Sequence, residues 1–379
     1  MDGAIEIAMS HVFDSATWAA VPPLFWYGVL FVLGCLVGSF LNVCIYRMPR
    51  DLSIVSPPSH CPQCNYSIPW YLNVPLVTWL TLRGRCANCR APIPARYFVV
   101  ELLTGLAFLA CWHQTWRQSP LVALAYCLLL AGFIAATFID FEHYIIPDEI
   151  TKGGMVAGAL CSFAIPALHG TPSHALGLLQ SAIGMAVGAG IVGLVVRVGK
   201  LLFGRQNIEL PPGTRIVFTE TAVVLPDREI PFGELFYRKS DVITIEASFV
   251  EVIDRCYRNI LVQLTPETLR LGKDQVDPET VPQMEVVADR ITLPREAMGL
   301  GDVKFMGAIG AFLGWKATLF TLMFSSIIGA FIGLGLIVLR RREWSAHLPY
   351  GPYIAAAATG WIFGGQKLFN WWLTRVHGG

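Results

Sequence analysis

The chain has 379 residues, of which 54% are hydrophobic and 15% are charged, and its mean hydropathy is +0.54. A soluble globular protein carries about a quarter charged residues, so this composition excludes an ordinary cytosolic enzyme, a disordered chain and a secreted disulfide scaffold. The net charge of +1 gives no indication of a nucleic-acid partner. The composition predicts a protein that crosses a membrane several times.

Seven apolar runs approach the length of about 20 residues that a helix needs to cross the hydrocarbon core. They lie at 24–46, 97–112, 121–139, 154–168, 175–198, 317–339 and 350–364, and a shorter run at 303–315 follows a glycine-rich turn. We therefore expect a polytopic α-helical membrane protein with about eight transmembrane helices. Residues 1–23 lack a basic n-region, which predicts a periplasmic N-terminal segment and a first span that is not a cleaved signal.

The distribution of Lys and Arg predicts the orientation of these spans. With the N-terminus outside and eight alternating spans, 24 of the 28 basic residues lie on the cytoplasmic side. Long loops count weakly in this rule, but without the segment 197–304 the balance is still ten against four. The orientation defines two cytoplasmic segments, 47–96 and 199–298.

The first cytoplasmic segment carries two C-x-x-C pairs separated by 21 residues, Cys61 with Cys64 and Cys86 with Cys89. This spacing is close to that of a zinc ribbon, in which four thiolates surround one ion tetrahedrally. Disulfides are unfavourable in a reducing cytoplasm. The pattern predicts a structural zinc site without a catalytic role, because four sulfur ligands leave no open position.

The second cytoplasmic segment contains short runs of strand-forming residues punctuated by proline, at 214–225, 241–253, 260–265 and 284–293. It predicts a small β-rich domain inserted between two spans. Its residues indicate no chemistry of their own.

Two acidic residues lie at the edges of predicted spans, where charge is costly and marks a functional site by default. Asp140 ends an apolar run at its cytoplasmic end, and Asp302 follows Gly299 and Gly301 in a G-x-G-D sequence. Paired carboxylates share a proton, so that one activates water while the other polarises a carbonyl, as in aspartic proteases. The same spacing is equally consistent with structural roles, in which Asp302 caps the following helix and Asp140 pairs with a nearby arginine.

Six ordered motifs together resemble the type IV prepilin peptidases, bifunctional aspartic proteases of bacterial inner membranes that belong to the GxGD group. The motifs are GSFLNVCIYRMPR (38–50), NVPLVTW (73–79), RYFVVELLTG (96–105), FIDFEHYIIPDEIT (138–151), LPREAMGLGDVKFMGAIGAFLGW (293–315) and LPYGPYIAAA (348–357). The resemblance covers most of the chain outside about 1–23 and 199–292. Members commonly replace the second of these segments with a short loop.

The resemblance implies that Asp140 and Asp302 are the catalytic pair, with supporting roles for Asp148, Gly299, Gly301 and Lys304. It implies cleavage of the leader peptide of prepilins or pseudopilins at the cytoplasmic face of the lipid bilayer. The new N-terminus is then methylated from S-adenosylmethionine. A transporter or channel component in which Asp140 and Asp302 carry protons or cations is the alternative from another class.

The family associates methylation with its N-terminal part, here 24–112, which precedes the spans of 113–198 and the G-x-G-D region of 299–379. Candidates for binding the methyl donor or the new ammonium group are Gly38, Asn42, Arg47 and Glu101. The alternative for Glu101 is an ion pair with Arg96 near the start of the same helix. No glycine-rich cofactor loop follows a strand, so the sequence does not place S-adenosylmethionine. Two roles are open for the inserted segment: an accessory domain that docks the substrate or binds a partner, or an insertion without a function of its own.

Overall fold

The computed structural model describes residues 18, 21–117, 119–236, 241–252, 255–294, 299–339 and 349–377. The chain forms two compact units, one comprising Met1–Val192 with Leu300–Gly379 and the other Gly193–Gly299. The helices are α1 (Pro23–Arg47), α2 (Val77–Thr81), α3 (Ala95–Thr115), α4 (Pro120–His143), α5 (Asp148–Ala164), α6 (His174–Phe203), α7 (Phe232–Leu235), α8 (Leu300–Val338), α9 (Gly351–Gly360) and α10 (Gln366–His377).

Five of the described helices are long and apolar enough to cross a membrane, namely α1, α3, α4, α6 and α8. The fold is therefore mostly helical, as the composition predicts. The predicted runs at 303–315 and 317–339 form one element, α8, interrupted at Gly314, where the backbone is non-helical with φ 79° and ψ 174°. A positive φ is unfavourable for residues other than glycine, so Gly314 permits the break that divides α8 into 300–313 and 315–338.

Glycines let the first part of α8 approach its neighbours closely. A Cβ atom added at Gly184 of α6 would lie 2.1 Å from the carbonyl oxygen of Gly310, and one added at Gly158 of α5 would lie 2.7 Å from the Cβ of Ala311. Small residues at such crossings allow backbone-to-backbone packing in lipid. The first part of α8 is thereby held between α5 and α6.

We expect Gly184→Ala to destabilise the protein by about 1–3 kcal/mol, because the added methyl group meets a backbone carbonyl that cannot rotate away. The control is Gly190→Ala on the same helix, where an added Cβ meets nothing within 4 Å. Thermal unfolding of the two purified variants measures the difference. Equal melting temperatures would show that α6 and α8 are not packed this tightly.

The described residues of the second unit form an eight-stranded antiparallel sheet, so the predicted β-sheet domain is confirmed. Its strand order is β3-β2-β1-β8-β4-β5-β6-β7. The strands are β1 (Arg205–Phe218), β2 (Ala222–Val224), β3 (Glu229–Pro231), β4 (Ile243–Val252), β5 (Arg255–Leu264), β6 (Leu269–Leu271), β7 (Asp274–Val276) and β8 (Met284–Pro294). Alternate residues of β1, β4 and β8, including Ile216, Ile245 and Ile291, form a buried apolar core.

The predicted strand at 214–225 is divided between β1 and β2. Residues 219–221 form a turn in which the Thr219 N–H donates to the carbonyl of Ala222 over 2.9 Å and the Thr219 hydroxyl accepts from the Ala222 N–H over 3.0 Å. Threonine side chains commonly stabilise such turns. Val217 then pairs with Val224 across the hairpin.

Candidate active site

Asp140 lies in the last turn of α4 and is buried, with 5% of its surface exposed. Its Oδ2 accepts the backbone N–H of Gly351, the first residue of α9, over 2.8 Å. A Cβ atom at Gly351 would lie only 2.7 Å from that oxygen and 3.0 Å from Cδ1 of Ile146. Only glycine therefore fits beside this carboxylate. The alternative expectation was an ion pair between Asp140 and an arginine, but the donor in this hydrogen bond is a backbone N–H.

Asp302 is the third residue of α8 and is also buried, with 9% exposed. The preceding Gly301 faces the backbone of Ile146, since an added Cβ would lie 3.4 to 3.5 Å from the Cβ, N and O atoms of that residue. Ile146 thus contacts the glycine next to Asp302 and the glycine bound to Asp140. The segments that carry the two aspartates, 162 positions apart in sequence, meet around this one isoleucine.

A four-residue connection positions Ile146. Helix α4 ends at His143, and Tyr144 adopts a left-handed conformation with φ 55° while its N–H donates to the carbonyl of Asp140 over 3.0 Å. Pro147 then precedes α5, at a place where the absent N–H of proline is not needed. Asp140 and Asp148 therefore lie on either side of a short connection.

Asp148 joins the start of α5 to the start of α8. Its Oδ1 accepts from Nζ of Lys304 and its Oδ2 lies 2.7 Å from Nζ of Lys152. The Asp148 side chain is 46% exposed, unlike the two buried aspartates. Asp148 therefore connects the start of α5 to the start of α8. Gly299, the residue directly before α8, is exposed.

The four predicted zinc ligands come together in the segment before α3. The sulfur atoms of Cys61, Cys64, Cys86 and Cys89 lie within 4.8 Å of one another. Cys61 and Cys89 are separated by 3.8 Å and Cys64 and Cys86 by 4.0 Å. A tetrahedron of sulfurs about 2.3 Å from zinc has edges of about 3.8 Å, so the cluster has the dimensions of a zinc site.

The two C-x-x-C pairs have the same local geometry. Asn65 and Arg90, each following a pair, are left-handed, with φ 54° and φ 62°. The N–H of Asn65 donates to the carbonyl of Cys61 over 2.9 Å, and that of Arg90 donates to Cys86 over 3.1 Å. These tight turns direct both sulfurs of each pair to one side.

Backbone donors also favour thiolates in this cluster. The N–H groups of Cys89 and Asn88 lower the pKa of Cys86 to about 6, and the N–H of Tyr66 lowers the pKa of Cys64. Although the Ala91 N–H lowers the pKa of Cys89, burial and the neighbouring sulfurs raise it to about 11. The four sulfurs thus resist carrying four negative charges together, a repulsion that a bound cation removes.

The N-terminal candidates connect this segment to α1 and α3. The Oε2 of Glu101 accepts the N–H of Leu76 over 2.7 Å. The guanidinium of Arg47 donates to the carbonyls of Ser53 over 2.8 Å and Pro57 over 2.7 Å. The expected pair between Glu101 and Arg96 is wrong, because Arg96 binds Glu142 on α4.

Gly38 and Asn42 lie at the crossing of α1 with α3. A Cβ atom at Gly38 would lie 2.7 Å from the Cα of Glu101, so its role is close helix packing. The Nδ2 of Asn42 donates to the carbonyl of Tyr97 over 3.0 Å, and its buried Oδ1 has no partner within the described part of the chain. The chain itself supplies hydrogen-bond partners for Arg47 and Glu101, and a role of these four residues in binding S-adenosylmethionine stays a prediction.

Gly351 is the residue at this site that sequence reasoning missed. It lies in the motif at 348–357, for which the residue pattern predicts no chemical role. A glycine that directly precedes proline at a helix start was the available signal, but its partner Asp140 is 211 positions away. Only the folded chain reveals that contact.

This α-helical membrane protein has one buried aspartate near the end of α4, another near the start of α8, and a cluster of four cysteines. These features together define a narrow class of proteins. Residues 32–115 match the Bacterial Peptidase A24 N-terminal domain. Residues 127–208 and 286–334 match the Type IV leader peptidase family. The unmatched residues between the last two ranges lie within the β-sheet unit. The chain belongs to the type IV prepilin leader peptidase family.

Several relatives carry the name prepilin leader peptidase/N-methyltransferase. The one from Aeromonas hydrophila is 28% identical over 93% of this chain and 96% of its own length. The one from Pseudomonas aeruginosa is 26% identical over 91% and 92%. A relative from Myxococcus xanthus is 48% identical over 36% of this chain and 40% of its own length. No solved structure matches the chain significantly.

Proposed function

We infer that this membrane protein is an aspartic peptidase that removes the leader peptide from type IV prepilins or pseudopilins, and that it N-methylates the new terminus. Membership of the family and the names of the relatives support both activities. The structural observation that supports peptidase action is the meeting of the segments bearing Asp140 and Asp302 at Ile146. Nothing in the comparisons favours a transporter or channel.

We assign the cleavage to Asp140 and Asp302. One carboxylate acts as the general base that removes a proton from water, and the protonated partner donates a hydrogen bond to the scissile carbonyl. The Gly351 N–H holds the Asp140 carboxylate in position over 2.8 Å. Gly301, without a side chain, lets the backbone of Ile146 lie close beside Asp302.

We place the pair at the cytoplasmic face of the inner membrane. This topology has eight spans. Four are the uninterrupted membrane-length helices α1, α3, α4 and α6, and the other four are α5, α9 and the two parts of α8 that Gly314 separates. Asp140 then ends a span that runs inward, and Asp302 begins one that runs outward. A substrate whose basic leader precedes an apolar helix would present its junction at this level of the bilayer.

We assign a structural zinc ion to Cys61, Cys64, Cys86 and Cys89, whose sulfur spacing supports it. The ion would clamp the loop that Arg47 and Glu101 attach to α1 and α3. The methyltransferase activity implies S-adenosylmethionine as the methyl donor, which supplies an electrophilic methyl group to the new amine. We assign no residues to its binding.

The proposed function is tested by incubating the purified protein with a prepilin and S-adenosylmethionine and measuring the product by mass spectrometry. The expected product has lost its leader and gained 14 Da at its new N-terminus, which is the mass change when a methyl group replaces one hydrogen of the amine. Uncleaved prepilin would contradict the peptidase assignment. Cleaved but unmethylated product would contradict only the second activity.

We expect Asp148→Asn to slow prepilin cleavage by less than about tenfold. Partly exposed ion pairs such as those of Asp148 with Lys304 and Lys152 contribute about 0–1 kcal/mol, and the residue does not lie at the Ile146 contact. Initial cleavage rates at low and high salt measure this, and the defect should shrink at high salt as screening weakens the wild-type pairs. A complete loss of cleavage would place Asp148 in the chemistry itself.

A further inference from the structure

A cavity of about 210 Å³ lies in the second unit, where α6 is followed by the first strand of the sheet. All of its lining residues belong to that unit. Those with charged or polar side chains are Lys200, Arg205, Asp241, Thr244, Gln263 and Thr292. The cavity is distant in sequence from Asp140, and we assign it no part in the proposed cleavage.

The floor of the cavity is a polar row across adjacent strands. Thr244 on β4 pairs with Gln263 on β5 and with Thr292 on β8. The residues on either side of Thr244, Ile243 and Ile245, are buried in the apolar core. Because successive side chains of a strand point to opposite faces, the two hydroxyls and the amide face away from that core. The Thr292 hydroxyl donates to Oδ1 of Asn207 over 2.9 Å, so the hydroxyl of Thr244 and the amide of Gln263 are the groups of this row that offer hydrogen-bond donors to the cavity.

Among the described residues that line the cavity, two are cationic, Lys200 and Arg205, and one is acidic, Asp241. The carboxylate of Asp241, 2% exposed, accepts from Nζ of Lys200 over 2.8 Å, so these two charges offset each other. The exposed guanidinium of Arg205 has no ion pair within the part of the chain that the structure describes. A planar guanidinium binds phosphate through two parallel hydrogen bonds, which makes an anionic phosphate group the fitting ligand.

The position of Lys200 indicates where that phosphate comes from. Helix α6 ends at Phe203, three residues after Lys200. The Leu201 side chain is 85% exposed, as expected of a residue that faces lipid tails. Lysine near the end of a span commonly places its ammonium group at the headgroup level, which is the level of phospholipid phosphates.

We propose that this cavity, lined by Lys200, Arg205 and the polar row of Thr244, Gln263 and Thr292, binds the phosphate of an anionic phospholipid headgroup. The bound headgroup anchors the β-sheet unit to the leaflet in which α6 ends. Basic sites beside the cytoplasmic ends of spans favour anionic over zwitterionic lipids, since each Lys or Arg near the surface adds about 1 kcal/mol.

The test measures lipid binding to the full-length protein by native mass spectrometry, with phosphatidylglycerol and phosphatidylcholine of identical chains as probes. The protein should retain phosphatidylglycerol preferentially. Arg205→Gln should weaken that binding about fivefold, the equivalent of losing one basic residue at the surface. Thr244→Leu, which removes a donor and fills part of the cavity without changing the charge, should weaken it as well.

The matched control is Arg258→Gln, which removes the same charge from an exposed position on β5 outside the cavity. It should bind phosphatidylglycerol as the wild type does. Equal retention of the two lipids, or equal losses in Arg205→Gln and Arg258→Gln, would overturn the proposal. Displacement of the lipid by an equal concentration of glycerol 3-phosphate would assign the cavity to a soluble phosphate and overturn the membrane source.

Discussion

Replacing either Asp140 or Asp302 with asparagine is expected to lower the rate of prepilin cleavage by on the order of 10³-fold or more. An amide neither removes a proton from water nor shares one with a partner carboxyl group. Asparagine at 140 keeps an oxygen that can accept the Gly351 N–H, so the fold around the site should persist. Cleavage rates from mass spectrometry, combined with melting temperatures, separate lost chemistry from lost structure.

The control for this prediction is Glu149→Gln, which removes an exposed acid from the first turn of α5. Its cleavage rate should stay within about twofold of the wild type, since a surface charge change of this kind alters little. Methylation of a pilin supplied without its leader should continue in both aspartate variants. Wild-type cleavage by either aspartate variant would remove that residue from the catalytic pair.

Replacing Cys61 or Cys86 with serine is expected to remove the bound metal and loosen the segment between α1 and α3. Structural zinc in small peptides supplies about 10–16 kcal/mol of apparent binding free energy, and serine at one position leaves only three thiolates. Metal analysis should find about one zinc per chain in the wild type and a small fraction of that in the variants. Limited proteolysis within 50–95 should accelerate at least about tenfold, with a much smaller change in cleavage chemistry.

Cys256→Ser is the matched control for the metal prediction. Cys256 is exposed on β5 and lies outside the cluster of four sulfurs. Its variant should keep its zinc and its resistance to proteolysis. A wild-type protein without zinc would contradict the zinc assignment, and equal zinc loss in Cys256→Ser would place a ligand outside the cluster.

Long-range contacts account for the predictions that were wrong or missing. The sequence offered Arg96 as a partner for Glu101 because the two are five positions apart, yet Arg96 binds Glu142 on another helix. Glu101 instead accepts the N–H of Leu76. Local spacing ranks nearby partners first, whereas the packing of α3 against α4 decides which charges meet.

The five membrane-length helices of the described chain, the two C-x-x-C pairs and the strand-rich segment follow from the sequence alone, because the lengths of apolar runs and the alternation of strands reflect the local solvent. The tertiary structure alone decided that Gly301 and Gly351 both contact Ile146 and that Gly351 holds Asp140. It also decided that α8 is interrupted at Gly314. Such contacts depend on how helices remote in sequence pack together, which no local pattern of residues encodes.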